Sequence, residues 1–181
     1  PGPTCLPAEV FKAVTDDLNS HDVWAPGVSP MELSHRSPEF EKIKSECESL
    51  MRQVYHLPDD FVMLWTHGGG HGQFSAIPLN LVKESDKLAS FIVNGAWSKK
   101  AIKEGQIVGD VEIVASSEDA NFNYIPKEYA VSTNWDYLHL TSNNTIFGTQ
   151  IKNFPVSRIP VICDMSSDIL SRKINVSDFD M

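Results

Sequence analysis

The residues best suited to chemistry lie in one short stretch and at four scattered points. Gly68, Gly69 and Gly70, followed by His71 and Gly72, form a cluster whose backbone can take positive φ and admit a ligand closely. With a helix from Gln73 onward, the free amides and positive dipole end would face this turn and suit a phosphate. The cluster reads equally as a tight connection, because Gly68-x-Gly70-x-x-Gln73 lacks the third glycine of the dinucleotide fingerprint and no Gly-Lys-Ser/Thr follows. Asp164 closes the apolar run Pro160–Cys163. Such an acid either sits where α/β sheets bind ligands or caps the next turn. Arg36, beside His35 in a loop, offers a planar fork for a carboxylate or phosphate, although an arginine there reads first as a solvated surface group. Trp97 and Thr145, taken alone, read as a core aromatic and as part of an Asn- and Thr-rich turn.

The elements that must position these residues alternate between two periods. Phe61–Trp65 is a continuous apolar run of the kind that forms a strand buried on both faces of a parallel sheet, and it leads straight into the glycines. Further strands are predicted at Leu88–Val93, Val111–Val114, Tyr137–Leu140 and Pro160–Cys163. Val10, Phe11, Val14 and Leu18 mark an amphipathic helix over Pro7–Leu18. Ser37, Pro38 and Glu39 open a second helix with an apolar stripe from Phe40 to Val54. Phe74, Ile77, Leu79 and Leu81 give a helix that Pro78 should kink or interrupt, and Ser98–Glu104 follows Trp97 as another. Pro1-Gly2-Pro3 is an irregular start, and a strand-like segment begins near Ser177–Met181. Trp24, Trp65 and Trp135 are assigned to packing.

Composition narrows the function classes. With 24 acidic and 15 basic residues among 181, the formal charge is −9, which argues against nucleic acid as a partner. An anionic ligand must therefore be held by local donors. No apolar run approaches a membrane span, and no basic-then-apolar leader is seen. Cys5, Cys47 and Cys163 form no C-x-x-C pair, so they read as reduced thiols and not as a disulfide framework or zinc site. The glycosylation patterns at Asn143 and Asn175 read as accidental.

Several ordered motifs resemble the phosphoserine aminotransferase branch of the class V, fold-type I pyridoxal-phosphate enzymes. They are Met31–Ser37 (MELSHRS), Gly68–Leu81 (GGGHGQFSAIPLNL), Gly95–Ser98 (GAWS) with Lys100–Glu104 (KAIKE), Asn143–Thr149 (NNTIFGT), and Asp164–Asp168 (DMSSD) with Leu170–Arg172 (LSR). They span nearly the whole chain. The resemblance implies an α/β fold, a mostly parallel sheet with helices on both faces. This would be the large domain of such an enzyme, cut before its last strands and C-terminal domain. Residues 1–30 would form an N-terminal segment at the active-site mouth and residues 31–181 the incomplete cofactor domain.

It also implies roles. Pyridoxal 5'-phosphate would set its phosphate at Gly70 and His71, stack its ring on Trp97, meet the Thr145 hydroxyl, and pair its ring nitrogen with Asp164. A carboxylate there keeps that nitrogen protonated and makes the ring an electron sink. Arg36 would hold the substrate's distal anion, with His35 assisting. Where some relatives carry arginine after the three glycines this chain has His71, which places that positive charge in doubt. The Schiff-base lysine is expected beyond Met181, so no catalytic residue lies within this segment and the segment alone is expected to be inactive. The whole protein would be a cytoplasmic homodimer acting on L-glutamate and 3-phosphohydroxypyruvate. The rivals are another class V enzyme and a silent fragment serving as a folding or assembly module. A desulfurase is disfavoured because none of the cysteines suits a mobile nucleophilic loop. A nicotinamide dehydrogenase is disfavoured because the strand ending Ile92-Val93-Asn94 offers no acid for a ribose.

Overall fold

The computed structural model describes residues 5–82 and 88–181, and Pro1-Gly2-Pro3 lie outside the described residues. The chain divides into two compact units, one running up to Met63 and the other spanning Leu64–Met181.

The first unit contains two helices. α1 (Ala8–Asn19) starts after Pro7, whose fixed φ suits a helix entry, and leaves Val10, Phe11, Val14 and Leu18 exposed. α2 (Pro38–Tyr55) is capped as its sequence predicts: the Ser37 hydroxyl accepts from the Phe40 N–H at 3.2 Å, and Pro38 fills the first turn. It ends at His56 in the left-handed region, with φ 50°. Beyond that cap, Arg52 donates to the carbonyls of Pro58 (3.1 Å) and Phe61 (2.6 Å) and folds the following chain back on the helix.

The second unit is built on a four-stranded parallel sheet. It runs through α3 (Gly69–Leu81), β1 (Leu88–Val93), α4 (Ala96–Val108), β2 (Asp110–Ser116), β3 (Tyr137–Thr141), the small antiparallel pair β4 (Asn143–Asn144) and β5 (Thr149–Gln150), and β6 (Val161–Asp164). Strand order is β2-β1-β3-β6, and every pairing in that sheet is parallel. On the outer side of β6 the Met181 N–H donates to the Val161 carbonyl at 3.2 Å, and the Cys163 N–H donates to the Met181 carbonyl at 2.9 Å. Of the strand-like segment expected at Ser177–Met181, Ser177 and Asp178 instead lie in a 3-10 turn (Val176–Asp178), and the backbone bonds to β6 come from Asp180 and Met181.

Alternation along the strands divides the core in two. Ala89, Phe91, Val93, Tyr137 and Ile162 face Phe74 and Ile77 of α3 and Ala101 and Ile102 of α4. Ile92, Leu138, Leu140 and Val161 face the other way, onto Trp135, Ile151, Ile159 and Phe179. Helices cover the first face, and irregular chain between the strands seals the second.

Two expectations are corrected. Phe61–Trp65 is not a strand: no ladder forms there, and Val62 and Leu64 are 75% and 72% exposed. An apolar run becomes a buried strand only where a neighbouring strand pairs with it, and no strand ladder includes this run among the described residues. Trp65 accordingly lies largely in the open at 59% exposure, whereas Trp135 is core as expected. The other correction concerns Pro78, which does not interrupt α3. It lies in the last turn, where losing one N–H costs a single ladder bond, and Val82 still donates to its carbonyl at 3.0 Å. Among the described residues, no helix is long and apolar enough to cross a membrane.

Candidate functional site

Parallel strands deliver all their carboxyl ends to one edge, and three loops meet there with the start of α3. Gly70, His71, Phe74, Trp97, Thr145 and Asp164 line a cleft of about 250 Å³, together with Thr141, Asn143, Ser166 and Ser167.

The glycine wall begins the helix itself, earlier than the Gln73 start read from the sequence. Gly68 caps α3 with φ 87°, and the first helical bond runs from the Gly72 N–H to the Gly68 carbonyl at 3.0 Å. The amides of Gly69, Gly70 and His71 therefore have no intrahelical acceptor. A Cβ on Gly72 would lie 3.2 Å from the His67 carbonyl oxygen, a tight contact, and the positive φ of Gly68 (87°) and Gly69 (58°) is the conformation that favours glycine in this turn. The His71 ring is exposed, 5.6 Å from Trp97 in an edge-on arrangement and 5.7 Å from Phe74.

Trp97 opens α4, one residue after the helix starts. Ser98 fixes this turn: its hydroxyl accepts from the Asn94 and Gly95 N–H groups, each at 3.1 Å, and donates to the Gly95 carbonyl at 2.9 Å. The Lys100 ammonium lies 4.2 Å from the Trp97 ring centroid, a cation–π contact, and Lys99 pairs with Glu118 at 2.5 Å. The Trp97 indole N–H donates to the Thr145 hydroxyl at 3.4 Å.

Thr145 sits at the tip of the β4–β5 hairpin, which the sequence showed only as a loop. Buried Asn144 ties this hairpin to the turn of Trp97, donating to the Asn94 carbonyl at 2.6 Å, while Asn94 donates to the Thr141 carbonyl at 2.8 Å. A Cβ on Gly95 would come within 2.7 Å of Asn144, so that approach is open only to glycine.

Asp164 ends β6, beside Thr141 of β3 in register. Its Oδ1 accepts from both the N–H (3.0 Å) and the hydroxyl (2.6 Å) of Ser166, which orients the carboxylate. Buried Thr141, 4% exposed, has a hydroxyl with no hydrogen-bond partner among the described residues and lines the same cleft. Burial, with Asp168 and Asp164 nearby, pushes the Cys163 thiol well above its ordinary range, which disfavours the thiolate.

The aminotransferase class-V family model matches residues 1–181. The chain belongs to the class-V aminotransferase family. It is 45% identical over 181 residues to the phosphoserine aminotransferase of Bacillus subtilis (strain 168), covering 99% of this chain and 50% of that protein. A namesake from Flavobacterium johnsoniae is 46% identical over 182 residues, with the same coverage. Among solved structures, phosphoserine aminotransferase from Bacillus circulans subsp. alkalophilus superposes with a TM-score of 0.88 at 39% identity, over 98% of this chain and 49% of that one. The pyridoxal-phosphate-bound enzyme from Trichomonas vaginalis gives 0.83 at 30% identity, over 98% and 50%. The chain spans about half the length of the curated relatives it matches.

Five residues singled out from the sequence, Gly70, His71, Trp97, Thr145 and Asp164, thus share one cleft. Arg36 and His35 belong to the other unit, exposed in the turn before α2, where the Arg36 N–H donates to the Ser34 hydroxyl at 3.3 Å. Sequence reasoning missed Thr141, Asn143 and the orienting role of Ser166. The D-x-S spacing of Asp164 and Ser166, a short side-chain-to-backbone turn, could have signalled the last.

Proposed function

We propose that the full-length protein is a phosphoserine aminotransferase. It would transfer an amino group reversibly between L-glutamate and 3-phosphohydroxypyruvate, giving 3-phosphoserine and 2-oxoglutarate in L-serine biosynthesis. Pyridoxal 5'-phosphate would be its cofactor. The observation that carries this reading is the convergence of Gly70, His71, Trp97, Thr145 and Asp164 on one cleft at the carboxyl edge of a parallel sheet.

The cleft fits such a group on its own chemistry. Three helix-start amides suit a dianionic phosphate despite the net negative charge of the chain. An indole and the Phe74 ring suit a flat heterocycle, a carboxylate suits a protonated ring nitrogen, and Thr141 lines the same space. When bound, the cofactor supplies an electron sink for the carbanion left by α-proton removal. Ser166 holds Asp164 so that its carboxylate keeps a proton on the ring nitrogen. Trp97 fixes the plane of the ring, and the Gly69–His71 amides anchor its far end. Thr145 offers a hydroxyl at the rim, already aligned by the indole N–H. Arg36, assisted by His35, would take the substrate's distal anion, for which its fork of donors is shaped. The lysine that holds the cofactor and shuttles the proton would come from chain beyond Met181. Residues 31–181 would form part of the cofactor domain, with residues 1–30 at its mouth, in a cytoplasmic homodimer.

The test is glutamate-dependent formation of phosphoserine by the purified full-length protein, with cofactor retention followed by absorbance before and after borohydride reduction. Turnover of 3-phosphohydroxypyruvate with a borohydride-fixed pyridoxyl group supports the reading. A fixed pyridoxyl group with a strong preference for a different amino acceptor would move the protein to another class V activity.

A further inference from the structure

We propose that Asp168 is a positioning residue for this site, tying both stems of the β4–β5 hairpin, and so Thr145 at its tip, to the loop that carries Asp164. The inference rests on the proposed cofactor site. It begins from a weakness: β4 and β5 are two residues each, and a hairpin so short is not stable by itself. Its tip is exposed, with Ile146 at 60%, and Phe147 meets Phe122 at 5.2 Å as the tip's aromatic contact. Polar ties must therefore set its position.

Asp168 supplies the charged tie. It is 6% exposed, and its carboxylate receives one donor from each stem: the Ser142 hydroxyl on Oδ1 at 2.5 Å and the Gln150 amide on Oδ2 at 3.0 Å. Arg172 closes the arrangement, donating to Oδ2 from Nη2 (3.3 Å) and Nε (3.4 Å), and from Nη2 to the Ile151 carbonyl at 2.9 Å. The guanidinium is itself held over the Phe154 ring at 5.1 Å. Asp168 stands four residues after Asp164, and its own N–H donates to the Met165 carbonyl at 3.1 Å. Ser142 also donates its N–H to the Asp164 carbonyl at 3.0 Å. One buried carboxylate thus fixes the width of the hairpin and its offset from the cofactor-facing acid. Removing it leaves the Gln150 and Arg172 donors without their shared acceptor, and Thr145 drifts from the rim.

The test compares wild-type full-length protein with Asp168→Asn, Asp168→Ala and a control, Ile102→Val, which trims the core under α4. Apparent affinity for pyridoxal 5'-phosphate is measured on stripped protein, and amide hydrogen exchange is followed over residues 142–151. We expect Asp168→Ala to weaken cofactor binding by roughly tenfold and to speed exchange in that segment, with Asp168→Asn intermediate. The control should do neither, even in mild denaturant chosen to lower its stability to that of Asp168→Ala. Equal affinity in Asp168→Ala and the control, or unchanged exchange over 142–151, overturns the proposal. Should neither Asp168 variant fold, Gln150→Leu cuts the tie to one stem alone and is read by the same two measurements. If the wild type binds no cofactor, the site reading fails, and the exchange data still decide whether Asp168 holds the hairpin.

Discussion

The indole N–H of Trp97 and the hydroxyl of Thr145 meet at 3.4 Å across 48 positions of sequence, joining two walls of the cleft. Thr145→Val keeps the shape of the side chain but removes the acceptor. It should weaken pyridoxal 5'-phosphate binding by about threefold to tenfold, the range of a neutral hydrogen bond. Trp97→Phe, which keeps a ring without the donor, should fall in the same range, and Trp97→Ala should cost more. Fluorescence titration of stripped protein measures all three; an unchanged affinity in Thr145→Val would remove that hydroxyl from the site.

Asp164 and Ser166 should separate by rank. Asp164→Ala removes the charge, whereas Ser166→Ala removes one of two donors that orient it and leaves the backbone N–H in place. The latter should cost about 1 kcal/mol, near a fivefold loss in turnover. Steady-state kinetics on the full-length enzyme would contradict the orienting role if Ser166→Ala were as damaging as Asp164→Ala.

How much of this was legible follows from which physics each residue obeys. The glycines, Trp97, Thr145 and Asp164 follow strand ends or open helices, and topology sends such positions in a parallel sheet to one edge. The four sheet strands were visible as apolar runs for the same reason. Phe61–Trp65 looked identical to them but joins no strand ladder among the described residues, a fact that hydrophobicity cannot carry. The hairpin around Thr145 was hidden because polar ties to Asn94 and Asp168, distant in sequence, hold it. An acid such as Asp168 gives no periodic signal of its burial.

Gly95 should tolerate no side chain. Its φ of 167° is ordinary extended backbone, so the objection is contact: an added Cβ would lie 2.7 Å from the Oδ1 and Cγ of Asn144. Gly95→Ala should destabilise by ~1–3 kcal/mol, the usual cost of overpacking. Adding Asn144→Ala should recover part of the loss, though the Asn94 carbonyl then goes unpaired. Urea denaturation of Gly95→Ala, Asn144→Ala and the double variant gives the coupling; simple additivity would argue that Asn144 is not the obstacle.

His139 makes a pH signature. Both of its ring nitrogens are buried without a hydrogen-bond partner among the described residues, between Phe74 and Phe91, and burial lowers its pKa from 6.5 to about 4, against a weaker upward pull from Asp164. The unfolded chain binds a proton below 6.5 that the folded one refuses until about 4. Stability from this group is thus complete above the first value and is lost as pH falls toward the second, by at most ~1.4 kcal/mol per unit. His139→Gln should flatten the difference in urea midpoint between about pH 7 and pH 4.5. Parallel curves for variant and wild type would show that His139 opens to water.

Asn94 and Asn144 lash the walls of the cleft together before any ligand arrives. A cavity built this way has little conformational entropy left to lose on binding, so its ligand meets a surface already in its final form. Loosening a tie should then leave the association rate nearly unchanged and shorten the residence time of the cofactor. Holding on, rather than finding, is what these buried amides would govern.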